Sequence, residues 1–338
     1  MCTFIVRLNV LGLVISAAAT LACTALAQAP VTAEVVSVAK IWDAGKHNAF
    51  TDLLRHNQRW YCVFREGAGH VSADGTVRVL ASDDGERWES LTQLSSSDGD
   101  LRDPKICVTP GGKLMITTVL ATPKDETTKH QSRVYFSDDG QTWQGPHDIG
   151  DKNFWLWRTS WQDGVAYNLG YGTHEQRQAR LYSSKDGLTF MSLVDDLGVK
   201  NEKPSESALA WDTSTGRAYC LLRCENPKIA QLGTAAAPYK EWTWHELGQM
   251  FGGPNLIRHE NGAWIAAGRI YKPAVYTAVC WLDIENHKLV ELAKLPSGGD
   301  TSYPGLAWHD GLLWMSYYSS HEGKTSIYLA KLKIAKAP

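Results

Sequence analysis

The chain has 338 residues, 34 basic against 36 acidic side chains, and a formal net charge of −2. That balance excludes a broad basic face for nucleic acid. The 43% of hydrophobic residues supplies a packed core rather than a disordered chain.

Residues 1–27 read as a secretory signal. Arg7 is the lone charge, 8–22 is almost wholly apolar, and Ala25-Leu26-Ala27 offers a small-x-small cleavage site before Gln28. The expectation is a secreted or periplasmic protein with no membrane span after cleavage, residues 28–338 forming one domain. Cys23 behind Leu21-Ala22 is a weaker lipidation signal, because Thr20 stands where leucine is wanted.

Beyond the leader no helix-period segment of useful length appears. Instead a hydrophobic run follows a polar turn six times, at 60–64, 114–119, 165–169, 218–222, 263–267 and 312–317, about 50 residues apart. Before each turn sits a shorter strand, at 50–54, 106–109, 158–161, 208–211, 255–257 and 306–308. Three further turns share one pattern: Ser82-Asp83-Asp84-Gly85-Glu86-Arg87-Trp88, Ser137-Asp138-Asp139-Gly140-Gln141-Thr142-Trp143 and Ser184-Lys185-Asp186-Gly187-Leu188-Thr189-Phe190. Each reads Ser-x-Asp-Gly-x-x-aromatic after a strand-like run. Asp-Gly suits a hairpin turn because glycine accepts positive φ and aspartate bonds the turn backbone. A repeat of this length predicts an all-β protein, a six-bladed β-propeller with four-stranded antiparallel blades.

Cys62, Cys107, Cys220, Cys224 and Cys280 remain after cleavage. An odd count at irregular spacing is no disulfide framework, so they read as buried free thiols. Cys220 and Cys224 lack a second pair or a histidine motif, so no metal is expected. No glycine-rich loop joins a strand to a helix, so no cofactor is expected either.

In a propeller, residues at the start of each innermost strand converge on one mouth. The repeat places Thr51 and Asp52, Arg102 and Asp103, Trp157 and Arg158, Ser205 and Glu206, Pro254 and Asn255, and Ser302 and Tyr303 there. A second ring carries Arg65, Glu66, Tyr171, Arg223, Glu225, Arg269 and Tyr318. Loops beyond it add His70, Asp74, His174, Glu175, His321 and Glu322. Charges gathered at an axis must be paired or await a ligand. Arginine forks suit carboxylates and other planar anions.

Over roughly residues 45–335 the chain resembles the sialidase superfamily, six-bladed propellers with Asp-box turns, in a secreted bacterial branch. The boxes here are one residue shorter than the usual form. Phe50-Thr51-Asp52-Leu53 stands where the family opens blade one, and Arg65-Glu66-Gly67 resembles the close of its second strand. The resemblance implies an exo-glycosidase releasing a terminal, acidic sugar from a glycan. Asp74 takes the acid/base slot. Glu206, followed by Arg223, matches the glutamate that polarises the nucleophile, and Tyr303 in Ser302-Tyr303-Pro304-Gly305 matches that nucleophile. Arg223 and Arg269 would clamp the substrate carboxylate, with Asp52, Arg65, Arg158, His70 and His321 as further substrate contacts. A phenol ionises only near pH 10, so Tyr303 needs a hydrogen-bonded base. The family's first arginine is missing near Thr51. That departure keeps open an enzyme acting on another terminal sugar, such as a uronic acid or deoxy sugar, and a non-catalytic glycan-binding propeller.

Overall fold

The structure is a computed structural model that describes Met1 and residues 30–122, 125, 127–175, 177–199 and 203–337; the rest of the predicted leader, Cys23 included, lies outside the described residues. The first strand is β1 (Val31–Trp42). Blade one is β2 (His47–His56), β3 (Arg59–Gly67), β4 (Thr76–Ser82) and β5 (Glu89–Leu94). Blade two is β6 (Asp100–Val108), β7 (Leu114–Ala121), β8 (His130–Ser137) and β9 (Gln144–Ile149). Blade three is β10 (Phe154–Gln162), β11 (Val165–Gly172), β12 (Ala179–Ser184) and β13 (Met191–Val194). Blade four is β14 (Pro204–Asp212), β15 (Arg217–Cys224), β16 (Gln231–Ala235) and β17 (Thr243–Glu246). Blade five is β18 (Gly252–Arg258), β19 (Trp264–Ile270), β20 (Tyr276–Asp283) and β21 (Lys288–Lys294). Blade six is β22 (Thr301–His309), β23 (Leu312–Ser319) and β24 (Ser326–Lys336), completed by β1 on its outer edge.

This is a six-bladed β-propeller of four-stranded antiparallel sheets, with no helix among the described residues. The innermost strands β2, β6, β10, β14, β18 and β22 pack against one another around the axis. Pairing β1 with β24 ties the start of the ring to its end and leaves no open break between first and last blades. The sequence pattern did not mark β1, because its half-exposed residues alternate only loosely.

Apolar side chains fill the seams between blades. Tyr61, Val63, Val77 and Val79 of blade one interdigitate with Leu101, Ile106, Leu114 and Ile116 of blade two. The Asp-box turns anchor the same seams. The Asp84 carboxylate accepts the Glu86 and Arg87 amides, both at 2.9 Å, and Trp88 Nε1 donates to the Gly85 carbonyl at 3.2 Å. Gly85 sits at φ +73°, and a Cβ there would lie 2.3 Å from the Trp314 ring of blade six. Only glycine allows that approach. Asp139 and Asp186 repeat the arrangement, and two amide bonds hold the Asp186 carboxyl down at about 2. Cys62, Cys107, Cys220, Cys224 and Cys280 are all free thiols, and all but Cys107 are fully buried.

Candidate active site

The site is built by one backbone device used six times. Each innermost strand carries a bulge where three steps on it oppose two on its neighbour: Ala49/Asp52, Arg102/Lys105, Leu156/Thr159, Pro204/Ser207, Gly252/Asn255 and Ser302/Gly305. A bulge bends a strand and re-aims its side chains. In blades one, two, five and six the first unpaired residue is left-handed: Phe50 (φ 63°), Asp103 (49°), Gly253 (53°) and Tyr303 (52°). The equivalents in the other two blades are Trp157 and Ser205. Positive φ in bulky residues such as Phe50 and Tyr303 is strained, and strain of this kind gathers at functional sites.

These stations meet. The buried Tyr303 hydroxyl donates to Glu206 Oε1 at 2.6 Å. Arg223 Nη1 donates to the same carboxylate oxygen at 2.8 Å and to the Tyr303 hydroxyl at 2.9 Å. Trp157 and Phe50 meet the Tyr303 ring edge-on at 5.8 and 5.1 Å between centroids. Gly253 lets the ring lie against its backbone; a Cβ would stand 2.6 Å from Tyr303 Cγ. Burial, then the negative charge of Glu206, push the Tyr303 phenol well above its ordinary value. Burial pushes the Glu206 carboxyl up as well, but Arg223 and the Tyr303 hydrogen bond outweigh it, so this carboxyl lies below its ordinary range. The result is a protonated tyrosine beside an ionised carboxylate.

Asp103 completes the floor. It is buried, its Oδ1 has no partner, and burial raises its carboxyl despite Arg102 and Lys105. Its charge is felt by Tyr303 and Glu206. Asp103 was placed at the mouth by the repeat but given no role from sequence. The signal for one was its left-handed bulge, which no local sequence pattern displays.

The two arginines assigned to a substrate carboxylate are heavily engaged. Arg223 pairs with Glu206 through Nη1 and with Glu225 through Nη2. Arg269 Nε donates to the Thr301 carbonyl at 2.8 Å, and Nη2 to Tyr318 Oη at 2.9 Å and Asp300 Oδ1 at 3.2 Å. Arg158 and Asp52 pair with each other at 2.6 Å. Asp52 also takes the Ile106 amide, and Arg158 reaches the carbonyl of Pro304. This pair cross-ties blades one, two, three and six beneath the mouth.

Arg65 lies apart from the opening. It is 0% exposed; Nε and Nη2 grip Asp100 at 2.7 and 3.0 Å, and Nη1 and Nη2 donate to the Gly69 and Ser72 carbonyls. With its fork consumed, it cannot meet a substrate. Asp74 is exposed, and the Ser72 hydroxyl and Ala68 amide hold its carboxyl below the ordinary range. An acid catalyst needs the opposite shift. His70 reaches Asp300 Oδ2 at 2.7 Å. His321 bonds Ser319 and packs on Tyr328, outside the Tyr303 cluster.

Beside the floor a cavity of about 220 Å³ opens between blades three and four, lined by Trp155, Tyr171, Ser205 and Glu225. Burial, with the charges of Arg102 and His174, pushes His130 in its wall down to about 4, so that ring is neutral. A larger hollow, about 560 Å³, lies around His259 and His309 at the hairpin turns of the opposite face, and none of Tyr303, Glu206 and Arg223 lines it.

No family model and no curated protein matches the chain. Solved structures do. A protein of unknown function from Dyadobacter fermentans is 18% identical over 90% of this chain and 100% of its own, with a TM-score of 0.80. The α-L-arabinofuranosidase of Fusarium graminearum, crystallised with arabinobiose, is 12% identical over 89% of this chain and 98% of its own, TM-score 0.70. The Trypanosoma rangeli sialidase is 12% identical over 88% of this chain and 59% of its own, TM-score 0.64. At such identities the likeness establishes the six-bladed propeller and no more; function has to be argued from the side chains.

Proposed function

We propose that the chain is a retaining glycosidase that removes a terminal sugar held in the mouth of the ring. The observation that carries this reading is the Tyr303–Glu206–Arg223 cluster, a nucleophile within 2.6 Å of an ionised base on the site floor. Glu206 takes the phenol proton as Tyr303 Oη attacks the anomeric carbon. Asp103, whose protonated form burial favours, gives its proton to the departing oxygen. Water then attacks the tyrosyl glycoside, Asp103 accepts its proton, and the phenolate recovers its proton from Glu206. Asp103 takes the role the sequence pattern offered to Asp74, because it is the buried carboxyl whose protonated form is favoured. The arabinofuranosidase and sialidase likenesses agree with a propeller working on sugars.

One observation favours a second reading of the substrate. Arg223 and Arg269 already face Glu206, Glu225 and Asp300, so an anionic sugar would have to displace these partners. A neutral sugar needs no free guanidinium. With it Glu206 itself could attack and Asp103 serve as acid, the paired-carboxylate arrangement of most retaining glycosidases. The test is a panel of aryl glycosides, an aryl sialoside and an aryl α-L-arabinofuranoside among them, followed by trapping with a fluorinated analogue of whichever is cleaved. A covalent sugar on Tyr303 supports the first reading, one on Glu206 the second, and no cleavage across the panel refutes both.

A further inference from the structure

Three residues expected to touch substrate or carry out chemistry together build one loop. Arg65, fixed by Asp100, holds the Gly69 and Ser72 carbonyls and the Ser72 hydroxyl from inside. The Asp74 carboxylate accepts the Ala68 amide and closes the loop on itself. On its crest stands His70, 51% of its side chain exposed. Across the seam between blades one and six, Asp300 fixes its ring.

Asp300 is a saturated acceptor. Oδ2 receives His70 Nδ1 at 2.7 Å and His47 Nε2 at 3.1 Å; Oδ1 receives Tyr318 Oη at 2.8 Å and Arg269 Nη2 at 3.2 Å. Burial alone would raise this carboxyl, but the hydrogen bonds from His47, His70 and Tyr318 outweigh it and keep it ionised. An ionised carboxylate only accepts. His70 therefore carries its hydrogen on Nδ1 and His47 on Nε2, opposite tautomers set by one oxygen. The three ligating atoms lie within 4.8 Å of one another, as a metal would require. With four donors on Asp300, however, hydrogen bonds already account for the cluster, and a metal on His47 Nε2 would leave Nδ1–H a buried donor with no acceptor.

The tautomer leaves the Nε2 lone pair of His70 on the exposed edge of the ring. His70 and Tyr303 both meet the Phe50 ring edge-on, each with centroids 5.1 Å away, so the histidine stands one ring from the phenol. We infer that His70 Nε2 accepts a hydroxyl of the terminal sugar and selects sugars that bear it, with Asp300, Arg65 and Asp74 as positioning residues. The inference rests on the glycosidase reading and adds the hydroxyl requirement to it.

The test uses the aryl glycoside that the panel identifies, together with analogues deoxygenated at one hydroxyl each. The wild-type protein is expected to lose about 10–100-fold in kcat/KM on one analogue, as a polar site does when its partner is removed. In His70→Ala that penalty falls to near unity, while the penalties at other positions stay. Unchanged discrimination in His70→Ala overturns the inference and leaves the glycosidase standing; no turnover of any glycoside by the wild type overturns both. Nitrogen-15 spectra of the histidine rings give a readout independent of activity. Nδ1–H on His70 and Nε2–H on His47, both lost in Asp300→Asn, support the arrangement. Nε2–H on a neutral His70, or zinc binding abolished by His47→Ala and His70→Ala, refutes it.

Discussion

Replacing Tyr303 by phenylalanine removes one oxygen and nothing else from the site floor. The ring keeps its contacts with Phe50 and Trp157 and its seat against Gly253. What is lost is the bond to Glu206 at 2.6 Å and that from Arg223 at 2.9 Å. Glu206 retains Arg223 at 2.8 Å and the Ser205 hydroxyl at 3.1 Å, so no buried charge is stranded. Hydrogen bonds to charged groups contribute about 1.5–3 kcal/mol each, so the two together bound the stability cost at about 3–6 kcal/mol. Turnover suffers too. Without a nucleophile only binding and electrostatic stabilisation remain, so kcat is expected to fall by about 10³-fold or more. Release of the aryl group measures the rate, and a thermal melt on the same sample checks the fold. A Tyr303→Phe protein within tenfold of wild type, melting normally, would remove Tyr303 as nucleophile and move that role to Glu206.

The pH dependence should follow the two carboxyls: Glu206, held low, must be ionised, and Asp103, held high, must be protonated, so kcat/KM falls at both ends and Asp103→Asn loses the alkaline limb. Asp103 also links pH to stability. Its folded value lies above its unfolded one, so its contribution is full below the unfolded value and vanishes as pH rises through the folded value. Asp103→Asn should accordingly raise the melting temperature more at pH 8 than at pH 4, and an equal change at both would refute the shift. Arg65→Met leaves the buried Asp100 carboxylate with only the looser Arg102 contact at 3.8 Å and should cost about 3–5 kcal/mol in urea unfolding, whereas a loss below 1 kcal/mol would mean that Arg102 or water replaces the fork. Gly85→Ala forces a Cβ into a left-handed position 2.3 Å from Trp314 and should cost about 2–4 kcal/mol; a neutral substitution would show that the seam between blades one and six can relax.

Blade number and strand order were legible in the sequence because turn chemistry repeats: six hairpins and three boxes each carry their own local signal. The same register marked Asp52, Arg158, Glu206 and Tyr303 as equivalent stations, and the structure pairs them two by two. What stayed hidden was partnership. Arg65 looked available until Asp100, far along the chain, was seen in its fork. Asp74 looked like an acid until its carboxylate was found holding a loop amide. The roles of Asp103 and Asp300 have no such trace, since burial and the convergence of donors from several blades have no local sequence signature. β1 was missed for a related reason: its partner is the last strand of the chain.

The recurring bulge separates scaffold from chemistry. Because the same kink is stamped into every innermost strand, a new functional group can be installed at any of six sockets without re-threading the backbone. Phe50, Trp157 and Ser205 occupy three of them. Exchanging those side chains is the shortest route by which an ancestor of this chain, or an engineer, could turn the mouth toward a different molecule.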